Sequence, residues 1–253
     1  MQPCTAAPAP LPAPARDWAL FLDFDGTLVE IADRPEAVDV PAALHALLDG
    51  LVTALDGAVA VISGRPLAGL DALLGGRPHA LAGLHGLERR THDGRIHRAA
   101  GQPGALDGLR AALQAFARAN PGARVEDKGQ ALALHYRGAP GLAGPARALV
   151  EHHCNALGEG FRLQAGKQVL EVRPAGHDKG SAIESFMREP PFRGRTPVCL
   201  GDDITDEDAF IAVNRLGGHS LRVGNDRPTA ASHALASVTE AHQWLTRLTL
   251  NWD

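Results

Sequence analysis

The 253-residue chain predicts an α/β fold: a doubly wound parallel sheet with a small α+β domain inserted into it. Three observations carry that expectation. Short, fully apolar runs alternate with stretches of helical spacing, the pattern of a parallel sheet covered on both faces. The alternation breaks once, between residues 105 and 174, into helix, strand, helix and hairpin. A pair of carboxylates leaves the first apolar run at a glycine turn, and open α/β sheets bind ligands at that carboxyl edge.

Trp18-Ala19-Leu20-Phe21-Leu22 is continuously apolar and reads as a central strand. Residues 41–55 carry Leu44, Leu47, Leu48 and Leu51 at helical spacing, and residues 58–62 read as a second buried strand. Ser63-Gly64-Arg65-Pro66 stops that strand, and Pro66 suits the first turn of a helix running to about Leu74. A third apolar segment lies near residues 79–84.

In the interrupting segment, Leu106, Leu109, Leu113 and Phe116 form a helical stripe that Asn120-Pro121-Gly122 ends. Within residues 125–136, residues 131–136 read as a strand. A helix over 145–157 follows, then a hairpin of 161–164 and 169–172. Alternation resumes with a helix over 179–188, a strand over 197–200 and a loop over 201–208. The expected domains are a core of residues 17–104 and 175–253, an insert of 105–174, and a flexible Ala/Pro-rich tail of 1–16.

A net charge of −4 gives no basic footprint for nucleic acid or an anionic membrane. Cys4, Cys154 and Cys199 are too scattered for a zinc site or a disulfide framework, which points to a reducing cytoplasm. The amino-terminal residues lack a basic region and are broken by prolines, unlike a signal peptide. No apolar run reaches the ~20 residues that span a bilayer. A monomeric cytoplasmic protein with no nucleic-acid or membrane partner is expected.

The chemistry concentrates in four pieces that end strands or begin helices: Asp23-Phe24-Asp25-Gly26-Thr27, Ser63-Gly64-Arg65-Pro66, Asp178-Lys179-Gly180, and Gly201-Asp202-Asp203-Ile204-Thr205-Asp206-Glu207-Asp208. Side chains repeat every two residues along a strand, so Asp23 and Asp25 leave on one side while Phe24 turns into the core. Singly, the pieces have plain alternatives: solvated loop aspartates, Ser63 as a helix cap, Lys179 as a surface cation, the acidic loop as a capped helix start. Their order and strand-end placement favour one phosphoryl-handling site. His92, His97, His152 and His153 fall outside these pieces and read as surface residues; adjacent histidines lack the i, i+4 spacing of a helical metal pair.

Together the four pieces resemble the motifs of the haloacid dehalogenase superfamily of phosphatases, and the resemblance covers nearly the whole chain after residue 17. It implies Asp23 as a nucleophile forming an aspartyl phosphate, and Asp25 as general acid, then base. Ser63 and Lys179 would hold the phosphoryl oxygens. Mg2+ would lie between Asp23, the main-chain carbonyl of Asp25 and Asp202, with Asp206 as an acidic neighbour or itself at the metal.

Longer strings are similar to the trehalose-6-phosphate phosphatase family: Leu81-Ala82-Gly83-Leu84-His85-Gly86-Leu87-Glu88, Glu126-Asp127-Lys128-Gly129, Leu132-Ala133-Leu134-His135-Tyr136-Arg137 and Leu170-Glu171-Val172-Arg173-Pro174. This resemblance implies that the insert is a cap closing over a disaccharide phosphate. Glu126, Lys128 and Glu171 would grip sugar hydroxyls, and Arg65 and His85 would join them from the core. A salt bridge of Glu171 with Arg173 across the hairpin is the plain alternative. The implied reaction is hydrolysis of trehalose 6-phosphate in trehalose biosynthesis, coupled functionally to a trehalose-6-phosphate synthase. Competing readings are a phosphatase of another sugar phosphate, such as sucrose phosphate, and a phospho-accepting signalling domain. The longer strings argue against the first, and the insert argues against the second. Intact motifs argue against a catalytically silent homologue.

Overall fold

A computed structural model describes residues 10–32, 38–77, 80–99, 104–166, 168–224 and 228–250. The chain divides into two units, one formed by Met1–His97 and Asp178–Asp253 and the other by Arg98–His177. The second is therefore inserted into the first.

The first unit opens with β1 (Trp18–Leu22), α1 (Ala42–Ala54), β2 (Val59–Ile62), α2 (Leu67–Leu74), β3 (Ala80–Gly83), β4 (Glu88–Arg90) and β5 (Ile96–Arg98). The insert contributes α3 (Asp107–Ala119), β6 (Arg124–Asp127), β7 (Leu132–His135), α4 (Ala143–Leu157), β8 (Phe161–Gly166) and β9 (Val169–Pro174). The first unit resumes with α5 (Lys179–Phe186), β10 (Thr196–Gly201), α6 (Glu207–Arg215), β11 (His219–Val223), β12 (His233–Leu235) and α7 (Val238–Leu250).

The first unit's sheet runs β12-β11-β10-β1-β2-β3-β4-β5 among the described residues. From β12 to β3 the pairs are parallel, and β4 joins antiparallel. A strand flanked on both sides and covered on both faces has no polar position, so every residue of β1 is buried. Around it Phe21 stacks on Phe192 at 5.4 Å between ring centroids, and Phe186 lies against both. Fully burying side chains of this size contributes roughly 1.5–3 kcal/mol each.

Register sets the working edge. Leu22 pairs with Leu200 of β10 and with Val61 of β2, so the strands finish together. The residues just past their ends, Asp23, Ser63 and Asp202, share one rim.

The insert is an antiparallel sheet in the order β6-β7-β9-β8. Alternation puts Val125, Leu132, Leu134, Leu170 and Val172 into a cluster with Leu109 and Leu113 of α3 and Val150 of α4. Glu126, His135, Glu171 and Arg173 occupy the alternate positions, on the other face.

Several bounds differ from the expectation. Residues 125–136 form two strands, because Gly129 turns the chain at φ +77°. Pro66 stands before α2 as its N-cap, extended at ψ 152°, instead of within the first turn. Helix α5 stops at Phe186, shortly before Pro190-Pro191, which cannot continue it. Of the expected tail, residues 1–9 lie outside the described residues, while Leu11 and Ala15 pack against the core. Cys4 and His79 also lie outside.

Candidate functional site

Asp23 leaves β1 with its N–H donated to the Leu200 carbonyl at 3.0 Å, so the sheet itself fixes where its carboxylate begins. The chain then reverses: Gly26 N–H donates to Val29 O at 2.7 Å and Val29 N–H to Phe24 O at 3.1 Å. Gly26 adopts φ +92°, and a Cβ there would fall 2.2 Å from Asp202 Oδ2. Only glycine allows both the turn and that approach.

Lys179 comes from the first residue of α5. A reciprocal pair starts that helix sharply, with Ser181 N–H donating to Asp178 Oδ1 at 2.7 Å and Asp178 N–H donating to Ser181 Oγ at 2.9 Å. From there Lys179 Nζ reaches Asp23 Oδ1 at 2.6 Å and Asp206 Oδ1 at 2.7 Å, all three side chains being buried. The other oxygen of Asp206 accepts the N–H groups of Asp202 and Asp203 at 3.2 and 3.1 Å.

Asp23, Asp202 and Asp206 each offer an oxygen within 4.8 Å of the others. Three carboxylates around one ammonium leave an excess of negative charge out of water. Burial first, then Asp206, raises Asp23 well above the usual carboxylate range against the opposing pull of Lys179. Burial and Asp206 push Asp202 up to about 7. Burial pulls the Lys179 ammonium down, but Asp206 and Asp23 outweigh it and raise it above its usual value.

The donor set suits a hard divalent cation. It is all oxygen, and Asp23 Oδ2 is buried with no hydrogen-bond partner. Asp206 has both oxygens engaged, one by Lys179 and the other by the Asp202 and Asp203 N–H groups, while Asp23 keeps Oδ2. The main-chain carbonyl of Asp25 lies in the same turn.

Ser63 is buried at the end of β2, where its Oγ accepts the Arg65 N–H at 3.1 Å. His85 is buried next to it: its N–H donates to Ser63 O at 3.0 Å, and its ring lies so close to Gly64 that a Cβ there would sit 2.6 Å from Nε2. Leu84 and His85 both have positive φ, 50° and 54°, a strain non-glycine residues bear where the surroundings enforce it.

Arg65 does something the sequence did not show. Its Nε and Nη2 each donate at 2.7 Å to the two oxygens of Asp25, forming a bidentate pair. The guanidinium carbon also stands 5.5 Å from the centroid of the Phe24 ring.

The insert carries its own polar group. Lys128 Nζ donates to Glu171 Oε2 at 2.8 Å, with 8% and 10% of the two side chains exposed. Glu126 Oε2 lies 2.9 Å from Nε2 of His135, whose hydrogen bond, ahead of the opposing effect of burial, lowers the glutamate's pKa. Arg173 bonds Gln164 Oε1 at 2.8 Å and the His177 carbonyl. Thr27, inside the first motif but without an expected role, is wholly buried, and its Oγ1 has no hydrogen-bond partner. A buried hydroxyl in an aspartate-rich turn is the signal that could have marked it.

Comparisons with known proteins agree in kind. The trehalose-phosphatase family model matches residues 21–240. A probable trehalose-phosphate phosphatase of Sinorhizobium fredii (strain NBRC 101917 / NGR234) is 46% identical over 225 residues, covering 89% of this chain and 84% of the relative. The trehalose-6-phosphate phosphatase of Escherichia coli K12 is 44% identical over 232 residues, covering 92% and 86%. Among solved structures, the C-terminal domain of the Candida albicans trehalose-6-phosphate phosphatase superposes with a TM-score of 0.81 at 25% identity, covering 92% of this chain and 91% of that one.

Proposed function

The chain belongs to the trehalose-phosphatase family, and on that premise we propose that it hydrolyses trehalose 6-phosphate through a phosphoryl group carried on Asp23. One observation supports this most: Asp23, Asp202 and Asp206 converge on Lys179 at the rim where the central strands end.

Asp23 attacks phosphorus through Oδ2, the oxygen without a partner, while Lys179 holds Oδ1. Burial and Asp206 favour the protonated carboxyl, so the attacking carboxylate depends on positive charge beside it. Asp23, Asp202 and the Asp25 carbonyl are the groups that would hold Mg2+, which when bound neutralises charge as one anion approaches another. Asp206 orients Lys179 and the Asp202 backbone without binding the ion. Ser63 donates to a phosphoryl oxygen, and Asp25 gives a proton to the departing sugar oxygen.

The disaccharide is read by the insert, acting as a cap. A polyol offers little apolar area, so recognition rests on placed polar groups. Lys128 and Glu171 supply a donor and an acceptor already ordered by their own ion pair, and Glu126 adds another acceptor held by His135. His85, beside Ser63, reaches the sugar from the core. The substrate is the product of a trehalose-6-phosphate synthase, and the enzyme works as a cytoplasmic monomer.

Phosphate release with Mg2+ from trehalose 6-phosphate, sucrose 6-phosphate and glucose 6-phosphate tests the substrate. A kcat/KM for the trehalose ester at least about 100-fold above the others is expected, since a site built on hydroxyls rejects analogues lacking them. Equal rates on glucose 6-phosphate would refute it.

A further inference from the structure

We propose that Arg65 is a positioning residue for Asp25, fixing its carboxylate to take the proton of the hydrolytic water; the inference rests on Asp23 being the nucleophile. The geometry differs from that of a sugar-binding arginine. Both donors of the guanidinium edge are spent on Asp25, at 2.7 Å each, and Arg65 has 16% of its side chain exposed against 33% for Asp25. A planar fork locks the carboxylate in rotation as well as in position, which a single hydrogen bond does not.

Arg65 is itself held from three sides. Its N–H donates to Ser63 Oγ at 3.1 Å, its carbonyl accepts the Leu84 N–H at 2.9 Å, and its guanidinium lies against the ring of Phe24, which is completely buried. Phe24 separates Asp23 from Asp25 in the chain. The element that aims the nucleophile therefore also carries the surface against which Arg65 rests, and the two carboxylates are kept in fixed relation.

The fork occupies one lone-pair direction on each Asp25 oxygen, and a carboxylate has about four. The remaining directions can receive a proton. In the second half-reaction, water oxygen attacks the phosphorus of phospho-Asp23 and its proton passes to Asp25. The bond from Asp23 oxygen to phosphorus breaks with its electron pair returning to the carboxylate, and inorganic phosphate leaves. Asp25 then holds the proton that the next leaving group takes.

p-Nitrophenyl phosphate separates this role from its alternatives, because its leaving group needs no proton. In Arg65→Gln, first-turnover p-nitrophenol release should stay within about twofold of wild type, while steady-state turnover falls at least about 10-fold and acid-quenched phosphoenzyme accumulates. Arg65→Lys should recover turnover only in part, since an ammonium cannot fork. A raised KM for trehalose 6-phosphate with unchanged kcat would assign Arg65 to substrate binding and overturn the inference. Equal falls in first-turnover and steady-state rates would do so too, by making the residue structural. If wild type, Arg65→Gln and Asp25→Asn all trapped no phosphoenzyme, the nucleophile reading would fail and take this inference with it.

Discussion

Asp23 and Asp25 stand two residues apart and meet opposite kinds of surroundings, which is why one sequence motif can supply two chemical roles. Asp23 is buried against Lys179, whereas Asp25 is partly exposed and bound to Arg65. Asp25→Asn should therefore slow the first turnover more for trehalose 6-phosphate than for p-nitrophenyl phosphate, because only the sugar alkoxide needs a proton to depart. Equal single-turnover defects in rapid quench would speak against the acid role. Gly26 carries a second prediction: an added methyl would meet the Asp202 carboxylate at 2.2 Å, at a φ of +92° that alanine resists. Gly26→Ala should cut turnover at least about 10-fold and raise the Mg2+ concentration needed for half activity; an unchanged Mg2+ titration would detach Asp202 from the metal. Residue identities within one motif were legible because strand alternation and turn chemistry are local. The Arg65 to Asp25 fork was not, since its partners lie 40 residues apart and meet only once β1 and β2 are side by side.

Strands and helices with strong apolar patterns could be read nearly to the residue: β1 as expected, α1 and β2 within a residue or so at each end, and the insert's α4 two residues earlier at its start. Legibility failed where the pattern is weak. Strands β4 and β5 are three residues each, Glu88–Arg90 and Ile96–Arg98, and exist because a neighbouring edge accepts them. Spacing offered Arg173 as a plain alternative partner for Glu171 and gave no sign of Lys128. Lys128 reaches Glu171 because register sets Ala133 of β7 opposite Glu171 and the chain from β6 turns back at Gly129. Removing one member of so buried a pair strands the other charge, so an isosteric change is the cleaner probe. Glu171→Gln should lower kcat/KM for trehalose 6-phosphate at least about 10-fold, or ~1.4 kcal/mol, and leave p-nitrophenyl phosphate hydrolysis nearly unchanged. Lys128→Met, which keeps the length of the side chain, should show the same split. Parallel losses on both esters would mean that the pair supports the fold or the chemistry instead of reading sugar.

Across the whole molecule, each unit has its own core, and the rim of the first gathers three carboxylates around the one ammonium of Lys179. A cation bound there should stabilise the folded chain: at 100 times its Kd, Mg2+ adds about 2.7 kcal/mol, enough to raise Tm by several degrees in a chain of this size. Asp202, raised to about 7, fixes the direction with pH. Below that value the ion must displace a proton held in the folded state, and above it the carboxylate is already bare, so the Mg2+ shift in Tm should grow as pH rises from about 5 to 8. A Tm indifferent to Mg2+ and EDTA would remove the metal from the account. The central claim, that Asp23 carries the phosphoryl group, is met most directly by acid-quenching the enzyme with 32P-labelled trehalose 6-phosphate and Mg2+ and mapping the label by peptide. Label on the peptide containing Asp23, abolished by EDTA and by Asp23→Asn, is the predicted result. Release of inorganic phosphate by a folded Asp23→Asn variant at wild-type rate, or label on a different peptide, would contradict it.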